Sequence, residues 1–359
     1  MNSERTEPMQ FTHESLVQRV IFAAHQASTA VADELEAIGA TRVMLIASAR
    51  ERSLAATIAQ RAPVVHHHDE VVMHVPVEVA ERAREAAVTA GADALVSVGG
   101  GSATGLAKAV ALSTGLPIVA VPTTYAGSEA TNVWGMTRGT TKTTGVDARV
   151  LPRTVVYDAA LLATLPGPIA VSSGLNAMAH GVDSMWGPHA DPIDRALAQE
   201  GIRGLAAGLP IVATDPGSIE GIEHTLYGAY LAAVAFASAG SGMHHKICHV
   251  LGGMFNLPHA QTHAVVLPHV LAFNASEAPE AEERIAAALD SKTAVTGLAD
   301  LYASLHAPRA LRDYGMPQDG IAEAAAKILE AIPAGNPAPV TEVGVTALIH
   351  AAWAGDQPA

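Results

Sequence analysis

The chain has 359 residues, of which 49% are apolar and 16% charged, a composition typical of a well-packed globular protein large enough for two domains. Acidic residues outnumber basic ones by 35 to 21, for a formal net charge of -14, which excludes a nucleic-acid partner that needs a basic surface. The single cysteine excludes an internal disulfide and, with an N-terminus unlike a signal peptide, predicts a cytoplasmic location. No apolar run predicts a membrane span.

Strands and helices alternate in the first half of the chain. Apolar runs predict buried strands over 42–47, 94–98 and 117–121, and a short strand over 71–75. Helices are predicted over 27–38, 54–61, 76–90 and 102–113. The run His-His-His-Asp at 66–69 is expected to form a solvated turn. This alternation predicts a parallel sheet that helices cover on both faces.

From about residue 161 onward the pattern is helical only. Helices are predicted over 171–185, 193–209, 218–239, 243–251, 261–273, 279–288, 294–305, 321–332 and 341–352. Because no strand pattern interrupts them, the chain is predicted to divide into an α/β domain over 1–160 and an all-helical domain over 161–359. The two are expected to join near residues 152–168.

Two stretches of the first half suggest nucleotide binding. The sequence G-G-G-S at 99–102 lies between a strand and a helix, where glycines let the backbone approach a diphosphate and helix amides meet its charge. Hydroxyl-rich residues follow the next strand, at the carboxyl end where open parallel sheets bind ligands. A tight turn and a polar loop without ligand remain alternatives, because the motif is not the first-strand G-x-G-x-x-G of a standard Rossmann unit.

A histidine-rich stretch over 243–269 is the main chemical signal of the second half. It holds six of the 17 histidines, namely His244, His245, His249, His259, His263 and His269. His245 and His249 are four residues apart and share one helix face, and Gly252-Gly253 is expected to end that helix. Gathered imidazoles indicate either a metal site or a proton-relay and anion-binding site. Unrelated core and capping histidines are the alternative, and Cys248 is expected to be a small buried apolar residue.

Taken together, these stretches resemble the iron-containing alcohol dehydrogenase superfamily over nearly the whole chain. The matching motifs are G-G-G-S at 99–102, P-T-T at 122–124, G-S-E at 127–129, G-L-N-A-M-A-H at 174–180 and L-P-H-V at 267–270. The resemblance implies a dinucleotide-binding α/β domain, a helical domain, a reaction in the cleft between them, and a homodimer. It implies cofactor contacts for Gly99, Gly100, Gly101, Ser102, Thr123, Thr124, Ser128 and Lys142.

Within the superfamily the chain is most similar to the maleylacetate reductases, because the alcohol dehydrogenases carry one more residue between P-T-T and G-S-E. Metal-dependent members bind their ion through an Asp and three His, and these positions hold Asn176, His180, His245 and His259 here. The resemblance therefore implies reduction of maleylacetate to 3-oxoadipate, in aromatic-compound breakdown, without a required metal. His245 is expected to be the donor nearest the reacting carbonyl, with His249 between substrate and nicotinamide. The expected substrate-binding residues are Asn176, His180, His259 and Tyr125.

Cofactor choice is predicted from Ser48, which follows the strand 42–47. An Asp is common there in the alcohol dehydrogenases, where it would repel a 2′-phosphate. Serine carries no charge, so both NADH and NADPH are expected to support turnover.

Three other functions remain as alternatives to a maleylacetate reductase. They are a metal-dependent alcohol dehydrogenase, a metal-dependent lyase like dehydroquinate synthase, and a non-catalytic nucleotide-binding protein.

Overall fold

A computed structural model describes residues 9–139 and 141–358. Its strands are β1 Arg19–Phe22, β2 Val43–Ala47, β3 Val64–His68, β4 Ala94–Gly99, β5 Ile118–Pro122, β6 Val133–Arg138, β7 Thr141–Val146 and β8 Thr154–Tyr157. Its helices are α1 Ala27–Ala37, α2 Arg52–Ala59, α3 Val77–Thr89, α4 Gly101–Thr114, α5 Gly167–Ser184, α6 Pro192–Thr214, α7 Ile219–Ala239, α8 Met243–Phe255, α9 His259–Ala275, α10 Pro279–Ala288, α11 Ala294–Ser304, α12 Ile321–Ala331 and α13 Glu342–Ala354.

Six strands form one parallel sheet in the order β1-β8-β5-β4-β2-β3. Every residue of β2, β4 and β5 is buried, because helices cover both faces. Side chains alternate between those faces: Val43 and Leu45 pack with α1 and α2, whereas Met44 and Ile46 pack with α3 and α4. The predicted parallel sheet with two helical layers is confirmed.

The structure corrects several local predictions in this half. Residues 66–68 belong to the edge strand β3 rather than to a turn, because they pair with β2, and His68 at the end of the strand is buried. Residues 71–75 are not a strand, since His74 and Val75 adopt positive φ angles of 64° and 48°, which an extended chain cannot contain. The sequence pattern also missed the short strands β1 and β8 and the antiparallel hairpin β6-β7.

The second half is helical from Gly167 onward, as predicted. Helix α5 is buried along nearly its whole length, from Ala170 to Ser184, and packs against α6, α7 and α9. Helix α8 runs through Gly252-Gly253, which were expected to end it, and stops at Asn256 in the left-handed conformation. An asparagine in that conformation is an ordinary helix terminator, so the glycines were not needed for this role.

No single helix within the described ranges is long and apolar enough to cross a membrane. The pair α7 and α8 passes the same test of length and composition when taken together, although it is bent by 96°.

Candidate active site

A buried carboxylate on α5 holds the start of the histidine-bearing helix α8. Asp183 Oδ2 accepts hydrogen bonds from the backbone N–H of Gly242 at 2.9 Å and from His245 Nδ1 at 2.8 Å, and Oδ1 accepts one from the N–H of His244 at 3.2 Å. Gly242 at the N-cap offers no side-chain cap, so Asp183 caps the helix from another element. A Cβ on Gly242 would lie 2.6 Å from Asp183 Oδ1, which explains the glycine.

The Asp183 contact fixes how the His245 ring is presented. With Nδ1 engaged by the carboxylate, Nε2 points away from Asp183, and it is buried without a hydrogen-bond partner in the described part of the chain. His180 stacks on the ring, with centroids 5.0 Å apart and an interplanar angle of 11°, and Phe236 contacts it at 4.1 Å. One ring nitrogen is therefore anchored, and the other is left for a ligand.

Burial keeps these imidazoles neutral in the free protein. It lowers the pKa of His180 to about 4. It also lowers the pKa of His245 well below its usual value, assisted by repulsion from His180 and His244. Burial raises the pKa of Asp183 to about 6, against the effect of its backbone hydrogen bonds. At neutral pH the pair is therefore a carboxylate that accepts the Nδ1 proton of a neutral imidazole.

The other histidines of the stretch extend this cluster in two directions. Towards the interior, His244 Nε2 lies 2.9 Å from His263 Nδ1, and both rings are fully buried. Towards the surface, His259 at the start of α9 is exposed, and its ring lies 4.3 Å from that of His263. His249 lies on the open side of His245, with ring centroids 6.2 Å apart.

A solvent-facing cleft of about 670 Å³ lies next to this cluster. Lys246 and His249 line it from α8, Thr144 from the hairpin, and Glu323 and Lys327 from α12. Lys327 pairs with Glu323 at 2.7 Å, whereas Lys246 has no salt bridge to another described residue. A positive charge with no fixed acidic partner in a strongly acidic protein suits an anionic ligand.

The hydroxyl-rich loop after β5 is folded around a buried lysine on α4. Lys108 Nζ donates to the carbonyls of Ser128, Thr131 and Val133 at 2.6, 2.7 and 2.8 Å. Burial lowers the pKa of Lys108 to about 7, and the nearby Glu129 carboxylate opposes that shift. Lys108 therefore fixes the backbone on which the predicted contact Ser128 lies.

The same loop is attached to α5 on its other side. The N–H of Tyr125 donates to Ser173 Oγ at 3.0 Å. Gly127 adopts φ +73°, and a Cβ there would lie 2.9 Å from Ala233 Cβ and 3.2 Å from His180 Nδ1. The loop that carries Thr123, Thr124 and Ser128 is thus in direct contact with the helix that carries Asn176 and His180.

The glycine-rich turn has the shape that a dinucleotide phosphate requires. Gly99 ends β4 with φ +141°, a conformation that side-chain-bearing residues rarely adopt. Helix α4 begins at Gly101 without a side-chain cap, so its first amides and positive dipole end are available to an anion. Ser102 lies in the first turn of this helix, as expected for a phosphate contact.

Most of the predicted site residues fall into two groups, and Tyr125 and Lys142 belong to neither. The cofactor group lies at the carboxyl ends of β2, β4 and β5, and the histidine group lies on α5, α8 and α9. Tyr125 is an exception because its side chain is buried in the core beside α5, and its hydroxyl has no partner within the described residues. Lys142 lies in β7 opposite Thr137, but its side chain is outside the part of the structure that is described.

Three functional candidates were not predicted from the sequence. Asp183 follows Asn176 and His180 at i+7 and i+3, so the three share one helix face, and that spacing was a usable signal. Lys246 is the only cation in the histidine stretch. Glu51, three residues after Ser48, accepts a hydrogen bond from the Ser48 hydroxyl and had no signal of its own.

Comparison with known proteins identifies the family. Residues 18–159 match the iron-containing alcohol dehydrogenase family model, and residues 170–353 match the C-terminal model of the Fe-containing alcohol dehydrogenase family. The chain belongs to the iron-containing alcohol dehydrogenase family. The maleylacetate reductase of Sphingobium indicum is 44% identical over 355 residues, which cover 98% of this chain and 99% of that protein. The predicted resemblance is confirmed.

Solved structures of the iron-containing alcohol dehydrogenase family share the whole fold. An iron-containing alcohol dehydrogenase from Corynebacterium glutamicum superposes with a TM-score of 0.95 at 57% identity, covering 98% of this chain and 99% of its own. Maleylacetate reductase from Agrobacterium tumefaciens superposes with a TM-score of 0.92 at 38% identity, covering 98% and 100%. The predicted fold class is confirmed, and the chain is an oxidoreductase of the nicotinamide-dependent type.

The family name raises the question of a bound metal ion. The side chains at the positions where metal-dependent members are expected to bind their ion, which are Asn176, His180, His245 and His259, fit such an ion poorly. Asn176 presents a neutral amide, whose buried Oδ1 has no partner in the described part of the chain. An amide and neutral imidazoles offer a divalent ion no charge neutralisation. Two other groups bring three candidate ligand atoms within 4.8 Å of one another, but neither includes Asn176 or His180: His244 with Cys248 and His263, and His13 with Asp191 and Asp194.

Proposed function

We propose that the protein is a maleylacetate reductase, which uses NADH or NADPH to reduce the carbon–carbon double bond conjugated to the substrate ketone, giving 3-oxoadipate. The observation that carries the proposal is the buried site of imidazoles and the Asn176 amide, in a chain 44% identical over nearly its full length to a maleylacetate reductase. A homodimer is part of the proposal, and light scattering of the purified protein tests it.

The reaction needs a donor at the ketone oxygen. When bound, the nicotinamide supplies a hydride to the alkene carbon, and the electron pair of the double bond moves toward the ketone oxygen as an enolate. His245 Nε2 is the ring atom that Asp183 leaves unengaged. In the protonated ring its N–H would donate to this oxygen and stabilise the enolate, and the saturated product forms when the carbon next to the ketone takes up a proton. The Asp183 carboxylate and the substrate carboxylates all stabilise the protonated ring that this step requires.

Neighbouring side chains orient the donor and exclude water. His180 and Phe236 contact the His245 ring and prevent it from rotating. The Asn176 amide can donate to a substrate oxygen and accept from a hydroxyl without adding charge. His249 and Lys246 line the cleft, and the Lys246 cation there suits the approach of a dianionic substrate.

The proposal predicts a specific effect at Lys246. Lys246→Gln removes the cation that faces the cleft, so we expect the KM for maleylacetate to rise by about tenfold or more, whereas kcat changes less, because charge-assisted hydrogen bonds contribute about 1.5–3 kcal/mol. Steady-state kinetics with saturating NADH measure both constants. Lys327→Gln is the matched control, since Lys327 lines the same cleft but is already paired with Glu323. Equal effects of the two substitutions would contradict a specific role for Lys246.

A second prediction concerns metal. We expect the activity to be unchanged by EDTA, because hydride addition to an activated alkene can proceed with imidazole donors alone. Asn176→Asp restores the carboxylate of the metal-dependent relatives and should raise zinc or iron affinity by about tenfold or more while lowering reductase activity. Metal analysis and titration of both proteins measure this. Activity that is lost on chelation and restored by metal would favour a metal-dependent alcohol dehydrogenase.

The function itself is tested by substrate choice. NADH absorbance is followed with maleylacetate and, separately, with simple aldehydes at the same concentrations. The proposal expects turnover with maleylacetate and little with aldehydes, and the reverse result would overturn it.

A further inference from the structure

A cluster of three metal-ligating side chains joins the segment before β1 to the helical half of the chain. His13 lies in that segment, and Asp191 and Asp194 lie at the start of α6. His13 Nδ1 is 2.8 Å from Asp191 Oδ2 and 3.7 Å from Asp194 Oδ1. The three candidate ligand atoms lie within 4.8 Å of one another, and the cluster shares no residue with the candidate active site.

The backbone at the start of α6 engages only one oxygen of each carboxylate. Asp191 Oδ1 accepts hydrogen bonds from the N–H groups of Ile193 and Asp194 at 2.7 and 2.9 Å, and Asp194 Oδ2 accepts one from the Asp191 N–H at 3.3 Å. Asp194 is fully buried, and its Oδ1 has no hydrogen-bond partner in the described part of the chain. The helix is therefore capped without Asp191 Oδ2 and Asp194 Oδ1, which both face His13 and are left for a ligand.

Two buried carboxylates this close repel each other. Burial raises the pKa of Asp194, and repulsion from Asp191 raises it further, whereas hydrogen bonds from Ser238 and the Asp191 N–H oppose this change. A divalent cation would neutralise both carboxylates at once. The positive end of α6 amounts to only about half an elementary charge, so it opposes a cation less than two carboxylates attract one.

We propose that His13, Asp191 and Asp194 bind a zinc ion, which ties the segment before β1 to α6. An imidazole nitrogen and carboxylate oxygens bind zinc at about 2.0–2.2 Å, so in a tetrahedral site they lie about 3.4 Å apart. The distances from His13 Nδ1, 2.8 and 3.7 Å, lie on either side of that value. Binding through Nδ1 leaves the imidazole proton on Nε2 and the fourth position to water. The nitrogen ligand favours zinc over magnesium or calcium, which prefer oxygen ligands.

Calorimetric titration of the EDTA-treated and dialysed full-length protein with zinc alone tests the site. We expect one zinc per chain to bind here, with a dissociation constant of about 10 µM or below. His13→Gln keeps a hydrogen-bonding side chain but removes the imidazole ligand, so it should weaken this binding by about 100-fold or more. Asp194→Asn keeps an oxygen for the helix cap but removes a charge, and it should weaken binding by about tenfold or more.

Hydrogen exchange locates the bound ion. Zinc should slow amide exchange over residues 9–18 and in the first turn of α6 in the wild type, because the ion holds the two segments together. The same protection should be absent in His13→Gln at equal zinc concentration.

The matched control is His350→Gln, which removes an exposed histidine of α13 that belongs to neither three-ligand group of the described residues. It should bind zinc as the wild type does. No binding up to about 1 mM zinc, or equal affinity in wild type and His13→Gln, would overturn the proposal. Since the titration contains neither dinucleotide nor maleylacetate, its outcome is independent of the proposed reaction.

Discussion

His245→Ala should lower kcat by about 100-fold or more, because it removes the proposed donor to the ketone oxygen. The KM for NADH should change little, since most of the predicted cofactor contacts lie at or after the ends of β2, β4 and β5, away from this ring. Pre-steady-state and steady-state measurements of NADH oxidation separate the chemical step from cofactor binding.

His224→Ala is the control for this experiment, because His224 is exposed on the outer face of α7. It should retain wild-type kinetics. If the kcat of His245→Ala stayed within a few-fold of the wild-type value, another group would have to be the donor. His249 is the nearest candidate that lines the cleft.

Asp183→Asn should lower kcat by about 100-fold or more as well, although Asp183 is a positioning residue that acts through His245. An asparagine amide can present its NH₂ group to Nδ1, which reverses the tautomer of the ring and takes away the charge that stabilises its protonated form. A double variant with His245→Ala should be no slower than His245→Ala alone, because both changes remove one function.

The same substitution should also destabilise the protein, because Asp183 caps α8 in the absence of a side-chain cap of its own. The expected loss in the free energy of unfolding is about 1–3 kcal/mol, measured by urea denaturation. Thr341→Ala is the matched control, since Thr341 caps α13 by accepting a hydrogen bond from the Gly344 N–H at 3.1 Å. That variant should lose stability but keep kcat.

In the kinetic experiment, additive effects of Asp183→Asn and His245→Ala on kcat would contradict the positioning role of Asp183.

Sequence patterns predicted the centre of the fold better than its edges. The continuous apolar runs of β2, β4 and β5 are buried on both faces, and burial of that kind is visible in composition alone. The strands β1 and β8 have four residues each, too few for a periodic signal. Strand β3 contains three histidines, and only its pairing with β2 determines its conformation.

The candidate site was predictable in its residue types but not in its pairings. Six clustered histidines indicated chemistry, and the rings of five of them are joined by contacts around His245 and His263. Asp183 is 62 positions from His245, and no local pattern joins residues at that distance.

The loop after β5 links the two binding sites thermodynamically. It carries predicted cofactor contacts, and through Tyr125 and Gly127 it also touches α5 and the ring of His180. With only a glycine hydrogen between the loop and that ring, a bound dinucleotide cannot displace the loop without displacing part of the substrate site. A ligand that shifts the loop at one end would therefore alter the affinity for a ligand at the other end, and by the same factor in both directions.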